Sequence, residues 1–381
     1  MASSPEDPTK TREFTAQTGL LERASEARSP RNASGTPLRS QVVSLEGWFR
    51  SHARDLPWRR HRSPWRSLVS ELMLQQTQVA RIAERFEGFM SRFPSPNAMV
   101  EAGEDEVLAA WEGLGYYRRA RLLHAAANRI VDEHQGEVPS TMDALEALPG
   151  VGKYTAGAVA SIVFNAPVPI VDGNVVRVAA RVLGIDRRAD DSVLMGRAWR
   201  FSTDLVEAAT DPSKCNEGLM ELGATVCTPQ RPDCSRCPLR QVCVATTLPE
   251  PDAIPRPKVR PVRQIVHLHL ALIQRGDRLL LEQRPSGGLW GGLWQPIGKE
   301  SPKAMSTDDF LRGSPVGLLK CEELERRKRQ LTHRTVHIQV YRATTRVRSG
   351  FWATRREAAE LGMARPVRDI LDRHVWPEEV A

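Results

Sequence analysis

The stretch LPGVGKYTAGAVASIVF (148–164) decides the fold of the longest region of this chain. Gly150 and Gly152 predict a tight turn, and the apolar spacing that follows them predicts a helix. Residues 142–147, before the turn, are also helical in pattern. We therefore predict a hairpin of two helices whose outward-facing backbone N–H groups let a phosphate approach without meeting a Cβ. A plain helix-packing corner would need the same glycines.

The period of the apolar residues changes once along the chain. Residues 42–245 follow the helical period, most clearly over 68–90 and 105–114. Residues 247–263 hold five prolines, which is typical of an extended linker. Beyond the linker the period becomes two, and we predict strands over 265–273, 279–284 and 335–343. We interpret the charged segment 322–329 as a helical insertion.

These patterns predict a multidomain protein. Residues 1–38 are polar with almost no apolar periodicity, so we expect a flexible tail. An all-α domain follows over 39–245, then a proline-rich linker over 246–262 and a smaller α+β domain over 263–381.

The composition favours a soluble protein with a polyanionic partner. Lys and Arg number 54 against 46 Asp and Glu, which gives a net charge of +8 over 381 residues. No window approaches the roughly 18 consecutive apolar residues of a membrane-spanning helix. We also expect no secretory signal, because the first residues lack an apolar stretch. The protein should therefore be cytoplasmic, and nucleoid-associated in a bacterium, with no membrane partner.

Four of the six cysteines are spaced C-x6-C-x2-C-x5-C, at Cys227, Cys234, Cys237 and Cys243. Four thiolates on one compact loop can bind either a tetrahedral zinc ion or an iron–sulfur cluster, and the spacing alone does not distinguish the two. In a cytosolic protein such crowding points to a metal rather than to disulfides.

Further motifs occur in a fixed order: LPWR (56–59), SELMLQQTQV (70–79), GLGYY (113–117) and VDGNV (171–175). With the LPGVG hairpin and the cysteine spacing, they resemble the MutY family of adenine DNA glycosylases, in the helix-hairpin-helix superfamily of endonuclease III. The resemblance covers about residues 41–245. It implies an all-α glycosylase domain and favours one [4Fe–4S] cluster over zinc.

The resemblance also implies catalytic roles. Glu71 would protonate N7 of adenine, and burial in its apolar surroundings should raise its pKa. Asp172 would stabilise the oxocarbenium ion or trap it covalently, although from the residues alone it is as readily a helix cap. Tyr154 stands where bifunctional relatives have a nucleophilic lysine, so we predict a monofunctional enzyme in which Tyr154 orients Asp172. Asn174 would help to hold the attacking water, and Lys153 would face away.

DNA-contacting residues follow from the same resemblance. The wall of the adenine pocket would be formed by Arg54, Trp58 and Arg59. The residues that enter the duplex or contact its backbone would be Gln76, Tyr116, Gly150 and Gly152.

The C-terminal segment resembles the Nudix-like domain with which this family recognises 8-oxoguanine. The resemblance depends on the strand near 265–273 and on LWGGLWQPIG (289–298). Because the Glu-rich magnesium helix of Nudix hydrolases does not follow Gly298, we expect binding without hydrolysis. The family's H-x-F-S-H loop corresponds to HRTVH (333–337), where Thr335 and Val336 replace Phe and Ser. We expect the 8-oxoguanine contacts to come from Thr332, His333, Thr335 and His337.

The predicted function is therefore excision of adenine mispaired with 8-oxoguanine or guanine, by a monomer acting on double-stranded DNA. One alternative is an endonuclease III-like glycosylase/lyase that acts on oxidised pyrimidines, against which Tyr154 argues. The other is a catalytically idle DNA-binding scaffold, against which the retained Glu71 and Asp172 argue.

Overall fold

The computed structural model describes residues 36–259, 262–314 and 316–377, without the side chains of 36–38. The tail predicted over residues 1–38 lies outside the described residues, except that the backbone of 36–38 begins the first helix. The chain divides into two compact units. Unit 1 comprises Met1–Glu71 and Val138–Val259, and unit 2 comprises Leu72–Glu137 and Arg260–Ala381.

Helices account for almost all of the regular structure between residues 36 and 225. In chain order they are α1 (Thr36–His52), α2 (Pro57–Arg60), α3 (Pro64–Leu74), α4 (Val79–Arg92), α5 (Pro96–Ala110), α6 (Arg118–His134), α7 (Met142–Glu146), α8 (Lys153–Phe164), α9 (Gly173–Leu183), α10 (Ser192–Glu207) and α11 (Pro212–Thr225). Short 3-10 turns follow at Cys234–Arg236, Arg240–Val242, Val244–Thr247 and Pro251–Ala253. No helix in the described part of the chain is long and apolar enough to cross a membrane.

The rest of the chain forms a mixed sheet with three helices. In chain order these elements are β1 (Gln264–Leu272), β2 (Gln274–Arg275), β3 (Arg278–Gln283), β4 (Trp294–Ser301), α12 (Thr307–Arg312), β5 (Leu318–Gln330), β6 (Arg334–Thr345), β7 (Phe351–Ala353), α13 (Arg355–Ala359) and α14 (Arg365–His374). The strand order is β2-β3-β4-β1-β6-β5, and β7 pairs with β3. Strands β1 and β6 are parallel, whereas the other pairs are antiparallel. The predicted combination of an all-α region with an α+β region is confirmed.

One local prediction is wrong. The segment 322–329 is part of strand β5, which pairs with β6 at the edge of the sheet. Nearly all of its side chains are partly or fully exposed, so it lacks the apolar alternation by which strands are recognised. Charged residues of this kind are common on edge strands, where they discourage pairing with another chain.

In unit 1, the apolar faces of α1, α9, α10 and α11 form the core around the candidate site. Leu45, Val175, Leu205 and Leu222 are each at most 1% exposed. Helix α11 approaches α9 closely at Gly223, where an added Cβ would lie 2.5 Å from Cβ of Asn174. Gly223 therefore permits the approach of α11 to the start of α9.

We expect Gly223→Ala to destabilise the protein by about 1–3 kcal/mol, because the new methyl group displaces Asn174. Gly196→Ala is the matched control: Gly196 is also helical, but an added Cβ there meets nothing within 4 Å. It should be neutral or stabilising by roughly 0.5–1 kcal/mol. Denaturant unfolding of both variants measures the difference. Equal unfolding midpoints for the two variants would show that the protein tolerates a methyl group at Gly223 and does not need a glycine there.

Candidate functional site

Glu71 lies near the end of α3 and is 7% exposed. Removal from water raises the pKa of its carboxyl group to about 7, the largest effect, which a hydrogen bond from Tyr154 partly opposes. The negative charges of Asp172 and Glu217 raise this pKa further, whereas Arg59 lowers it. Near pH 7, Glu71 is therefore protonated in about half of the molecules and can transfer this proton.

Tyr154, in the first turn of α8, hydrogen-bonds to Glu71. Burial raises the pKa of its phenol well above the ordinary value, and the charges of Glu71 and Asp172 add to that effect. We predicted that Tyr154 orients Asp172. In the structure the hydrogen bond of Tyr154 goes to Glu71 and its interaction with Asp172 is electrostatic, so the orienting role toward Asp172 stays a prediction. Lys153, as expected, turns elsewhere: its Nζ lies 4.4 Å from the centroid of the Trp199 ring.

Asp172 is the N-cap of α9, as the structural alternative predicted. Its Oδ1 accepts a hydrogen bond from the backbone N–H of Val175 at 2.7 Å, and its Oδ2 accepts one from Nδ2 of Asn174 at 2.8 Å. Burial raises the pKa of Asp172 even though these bonds oppose it. Oδ1 of Asn174 accepts in turn from Arg177 at 2.8 Å, so the Asn174 amide holds the carboxylate in place.

The two carboxyl groups therefore differ in environment. Glu71 receives a hydrogen bond from one phenol, whereas Asp172 receives hydrogen bonds from a backbone N–H and an amide. Neighbouring carboxyls cannot easily both be ionised, which favours one protonated and one charged group. Such a pair can supply one proton donor and one anion.

The predicted adenine-pocket arginines form ion pairs with acids of α11. Nε of Arg54 lies 2.6 Å from Glu221, and Arg59 lies 3.0 Å from Glu221 and 3.3 Å from Glu217. Trp58, on α2, is half-buried. Sequence reasoning missed Glu217 and Glu221. Two acids four residues apart in an otherwise apolar helix, NEGLMEL (216–222), were the available signal.

The predicted hairpin is formed by α7 and α8. Gly150 has φ 78°, which favours glycine, and Gly152 is the N-cap of α8. An added Cβ at Gly152 would meet nothing within 4 Å, so the space around this helix N-terminus is open. This geometry suits the approach of a phosphate.

A separate cleft of about 680 Å³ lies within unit 2. Its lining includes Gln76, Tyr116, Thr332 and His333, and the hydroxyl groups of Tyr116 and Thr332 are hydrogen-bonded to each other. We call it the unit 2 cleft. Sequence reasoning missed several of its other lining residues: Arg81, Arg118, Arg121, Trp290 and Arg334.

The other two residues predicted to read 8-oxoguanine lie on strand β6. Thr335 and His337 pair in register with Ile265 and His267 of β1. The rings of His337 and His267 are stacked, with centroids 4.9 Å apart. The structure thus brings Thr332 and His333 together with Gln76 and Tyr116, and places Thr335 and His337 in the sheet.

Cys227, Cys234, Cys237 and Cys243 are free thiols close enough to interact electrostatically with one another. Cys227 is also held from α9: Arg181 lies 3.2 Å from its sulfur, and Arg177 donates to its carbonyl at 2.8 Å. Within the described residues, no group of His, Cys, Asp and Glu side chains converges as a single metal ion would require.

Both the helical region and the sheet region of the chain match known protein families. Residues 69–202 match the family of HhH-GPD superfamily base excision DNA repair proteins, and residues 269–373 match the NUDIX domain. The chain is 37% identical to the adenine DNA glycosylase of Homo sapiens over 66% of this chain and 56% of that protein. It is 33% identical to the adenine DNA glycosylase of Rattus norvegicus, over 78% of this chain and 69% of that protein. The chain therefore spans little more than half of the human relative.

A bacterial relative matches over most of both chains. The adenine DNA glycosylase of Buchnera aphidicola subsp. Schizaphis graminum (strain Sg) is 27% identical over 85% of this chain and 96% of its own length. The aligned part of this chain therefore includes residues of both its helical region and its Nudix-like region.

The raised pKa of Glu71 predicts a pH-dependent stability. In the folded protein the pKa is about 7, above the ordinary 4.5, so Glu71 favours folding below pH 4.5 and this contribution is lost as the pH rises through 7. Glu71→Gln removes the charge. We expect it to be about 1–3 kcal/mol more stable than the parent at pH 8, with the advantage shrinking toward pH 5.

Denaturant unfolding between pH 5 and 8 checks this expectation. Glu146→Gln, at an exposed position of α7, is the control and should show no pH-dependent difference from the parent. A constant difference for Glu71→Gln across this range would contradict the raised pKa.

Proposed function

Because this chain belongs to the adenine DNA glycosylase family, we propose that it excises adenine from DNA in base excision repair, acting on adenine opposite 8-oxoguanine or guanine. The observation that carries the proposal is the buried Glu71 carboxyl, protonated near pH 7 and close enough to Asp172 for their charges to interact. A proton donor and an anion serve the two needs of glycosidic cleavage, a better leaving group and a stabilised sugar cation.

The proposed first step begins with the proton of Glu71. Transfer of this proton to N7 of an extruded adenine lets the C1′–N9 bond break, and the bonding electrons leave with the base. Glu71 becomes a carboxylate, which the hydroxyl of Tyr154 stabilises by donating a hydrogen bond. Arg54, Trp58 and Arg59, with Glu217 and Glu221, supply the polar wall for the base.

Asp172 acts in the second step. Its carboxylate, held by Val175 and Asn174, stabilises the oxocarbenium ion or bonds to it at C1′. Water then adds at C1′, breaking any bond to Asp172, and gives up a proton to the Glu71 carboxylate, which leaves an abasic site and restores the acid. Because the phenol of Tyr154 cannot form a Schiff base and Lys153 lies against Trp199, we propose that no strand cleavage accompanies excision.

We propose that the unit 2 cleft recognises the opposite base. Gln76 and Tyr116 enter the duplex, and Thr332 and His333 offer a hydroxyl and an imidazole to the oxidised guanine edge. The hydrogen bond between Tyr116 and Thr332 supports this assignment, because it joins a residue proposed to enter the duplex to one proposed to contact the oxidised guanine. The partner is double-stranded DNA, and the protein acts as a monomer.

We further propose that Cys227, Cys234, Cys237 and Cys243 bind one [4Fe–4S] cluster. In a cubane each thiolate binds a different iron atom, so the four sulfur atoms need not converge on one point. The mutual electrostatic interaction of the four thiols fits such a ligand set. The cluster would supply a structural crosslink that holds a loop carrying Arg231, Arg236 and Arg240.

A strand-break assay tests the proposed function. Duplexes with adenine opposite 8-oxoguanine or guanine should break at the adenine only after hot alkali. Glu71→Gln should lower the single-turnover rate by at least about 100-fold and retain mismatch binding, because only the proton donor is lost. Glu146→Gln is the control. Breaks without alkali at thymine glycol would instead indicate a glycosylase/lyase for oxidised pyrimidines, and binding without breaks would indicate a scaffold.

Paired threonine variants test the recognition role. Thr332→Val should reduce the preference for 8-oxoguanine over guanine opposite adenine by about tenfold, because one good hydrogen bond to a base is worth on the order of 1–3 kcal/mol. Thr335→Val, in strand β6, should leave the preference unchanged. The ratio of single-turnover rates on the two duplexes measures it, and the reverse pattern would assign the reading role to the strand.

Cysteine variants test the cluster. The purified protein should contain about four iron atoms and absorb near 400 nm, and Cys237→Ala should lose both iron and absorbance. Cys215→Ala, at a buried cysteine of α11 outside the set, should keep both. One zinc atom per chain in place of iron would contradict the assignment.

A further inference from the structure

One buried arginine binds two separate turns of unit 2. Arg119, near the start of α6, is 6% exposed. Its Nη1 donates hydrogen bonds to three carbonyl oxygens around the end of α3, those of Leu72 at 2.9 Å, Met73 at 2.6 Å and Gln75 at 2.5 Å. Its Nη2 donates to Oγ1 of Thr77 at 3.0 Å and to the carbonyls of Leu114 at 3.3 Å and Gly115 at 3.0 Å.

Each turn carries a residue in an unfavourable backbone conformation. Gln76 has φ 57° and Tyr116 has φ 49°, in the left-handed region that non-glycine residues rarely adopt. Arg119 binds the carbonyl of the residue immediately before each of them, Gln75 and Gly115. The carbon atom of each of these carbonyls is one of the four atoms that define φ of the following residue, so one guanidinium restrains both conformations.

We propose that Arg119 is the positioning residue that holds Gln76 and Tyr116 together in the arrangement that enters the duplex as adenine leaves it. This inference rests on the proposed function. The side chain acts through the two turns and lies beneath Tyr116, with its guanidinium carbon 5.4 Å from the ring centroid.

The chemistry of arginine suits this task. The six oxygen atoms that Arg119 binds are all neutral. Several backbone carbonyl dipoles therefore point toward the one positive charge of the guanidinium. Burial lowers its pKa to about 10, which leaves it charged at neutral pH. A lysine has a single nitrogen and cannot serve both turns with two rigidly spaced nitrogens as a guanidinium does.

Arg119→Lys is the direct test, with Arg129→Lys, a half-buried position on the same helix that pairs with Glu133, as the matched control. The first readout is the single-turnover rate on adenine opposite 8-oxoguanine. The second is the fluorescence of 2-aminopurine beside the target adenine, which rises when the neighbouring base leaves the stack. We expect Arg119→Lys to lose at least about tenfold in rate and most of the fluorescence rise, and Arg129→Lys to lose neither.

The dependence of the rate on pH separates positioning from damage to the chemistry. Because Arg119 is not among the groups that shift the pKa of Glu71, the titration of Glu71 should appear unchanged in Arg119→Lys. A normal rate and fluorescence rise for this variant, or a slow rate with a full fluorescence rise or a displaced pH profile, would overturn the proposal. If the parent protein itself removes no adenine, the proposed function fails instead.

A second pair of variants keeps the proposal testable if Arg119→Lys does not fold. Thr77→Val removes one of the six oxygen partners and should lower the rate and the fluorescence rise together, by about threefold. In a Gln76→Ala background, Thr77→Val should lower the rate by a smaller factor, because its effect on the rate is transmitted through Gln76. Unchanged fluorescence in Thr77→Val, or equal costs in the two backgrounds, would contradict the role of Arg119.

Discussion

A carboxyl group removed from water keeps its proton at neutral pH, and the proposed chemistry depends on that condition at Glu71. Burial is the largest influence on its pKa, and the charges around it adjust the value. Glu217 raises the pKa and Arg59 lowers it, although these two residues also form an ion pair with each other. The pocket wall and the acidity of the proton donor are therefore set by the same group of side chains.

In the proposed mechanism, Asp172 serves both structure and chemistry. As the N-cap of α9 it satisfies the N–H of Val175, and that bond together with the Asn174 amide fixes the carboxylate in one orientation. A group that stabilises a short-lived cation must already be in place when the cation forms. The cap supplies this preorganisation, and Gly223 permits it by leaving room for Asn174.

Much of this organisation could be predicted from the sequence, because local motifs carry it. The LPGVG turn, the helical period over residues 42–245 and the alternating strands β1 and β6 follow from short-range rules. Strand β5 could not be recognised from the sequence, because its exposed, charged side chains lack apolar alternation. They suit an edge strand, but only the pairing with β6 shows that β5 is at the edge. The family resemblance predicted roles for Glu71 and Asp172, whereas the hydrogen bond from Tyr154 to Glu71 depends on packing between helices and could not be predicted.

The recognition loop shows a second limit of sequence reasoning. Two histidines four residues apart suggested that residues 333–337 read the base; Thr335 and His337 lie in strand β6, which begins at Arg334, and their reading role stays a prediction. Thr332 and His333, in the turn before the strand, line the unit 2 cleft instead. Arg119 was missed because a buried arginine bound to carbonyls leaves no signal in a single sequence.

The dependence of the single-turnover excision rate on pH tests the central claim most directly. If a buried, protonated Glu71 delivers the proton, the rate on adenine opposite 8-oxoguanine should fall about tenfold per pH unit above roughly pH 7. At low pH it should fall again as Asp172, whose pKa is also raised, becomes protonated. A rate that stays constant from pH 6 to pH 9 while binding is saturated would contradict the account.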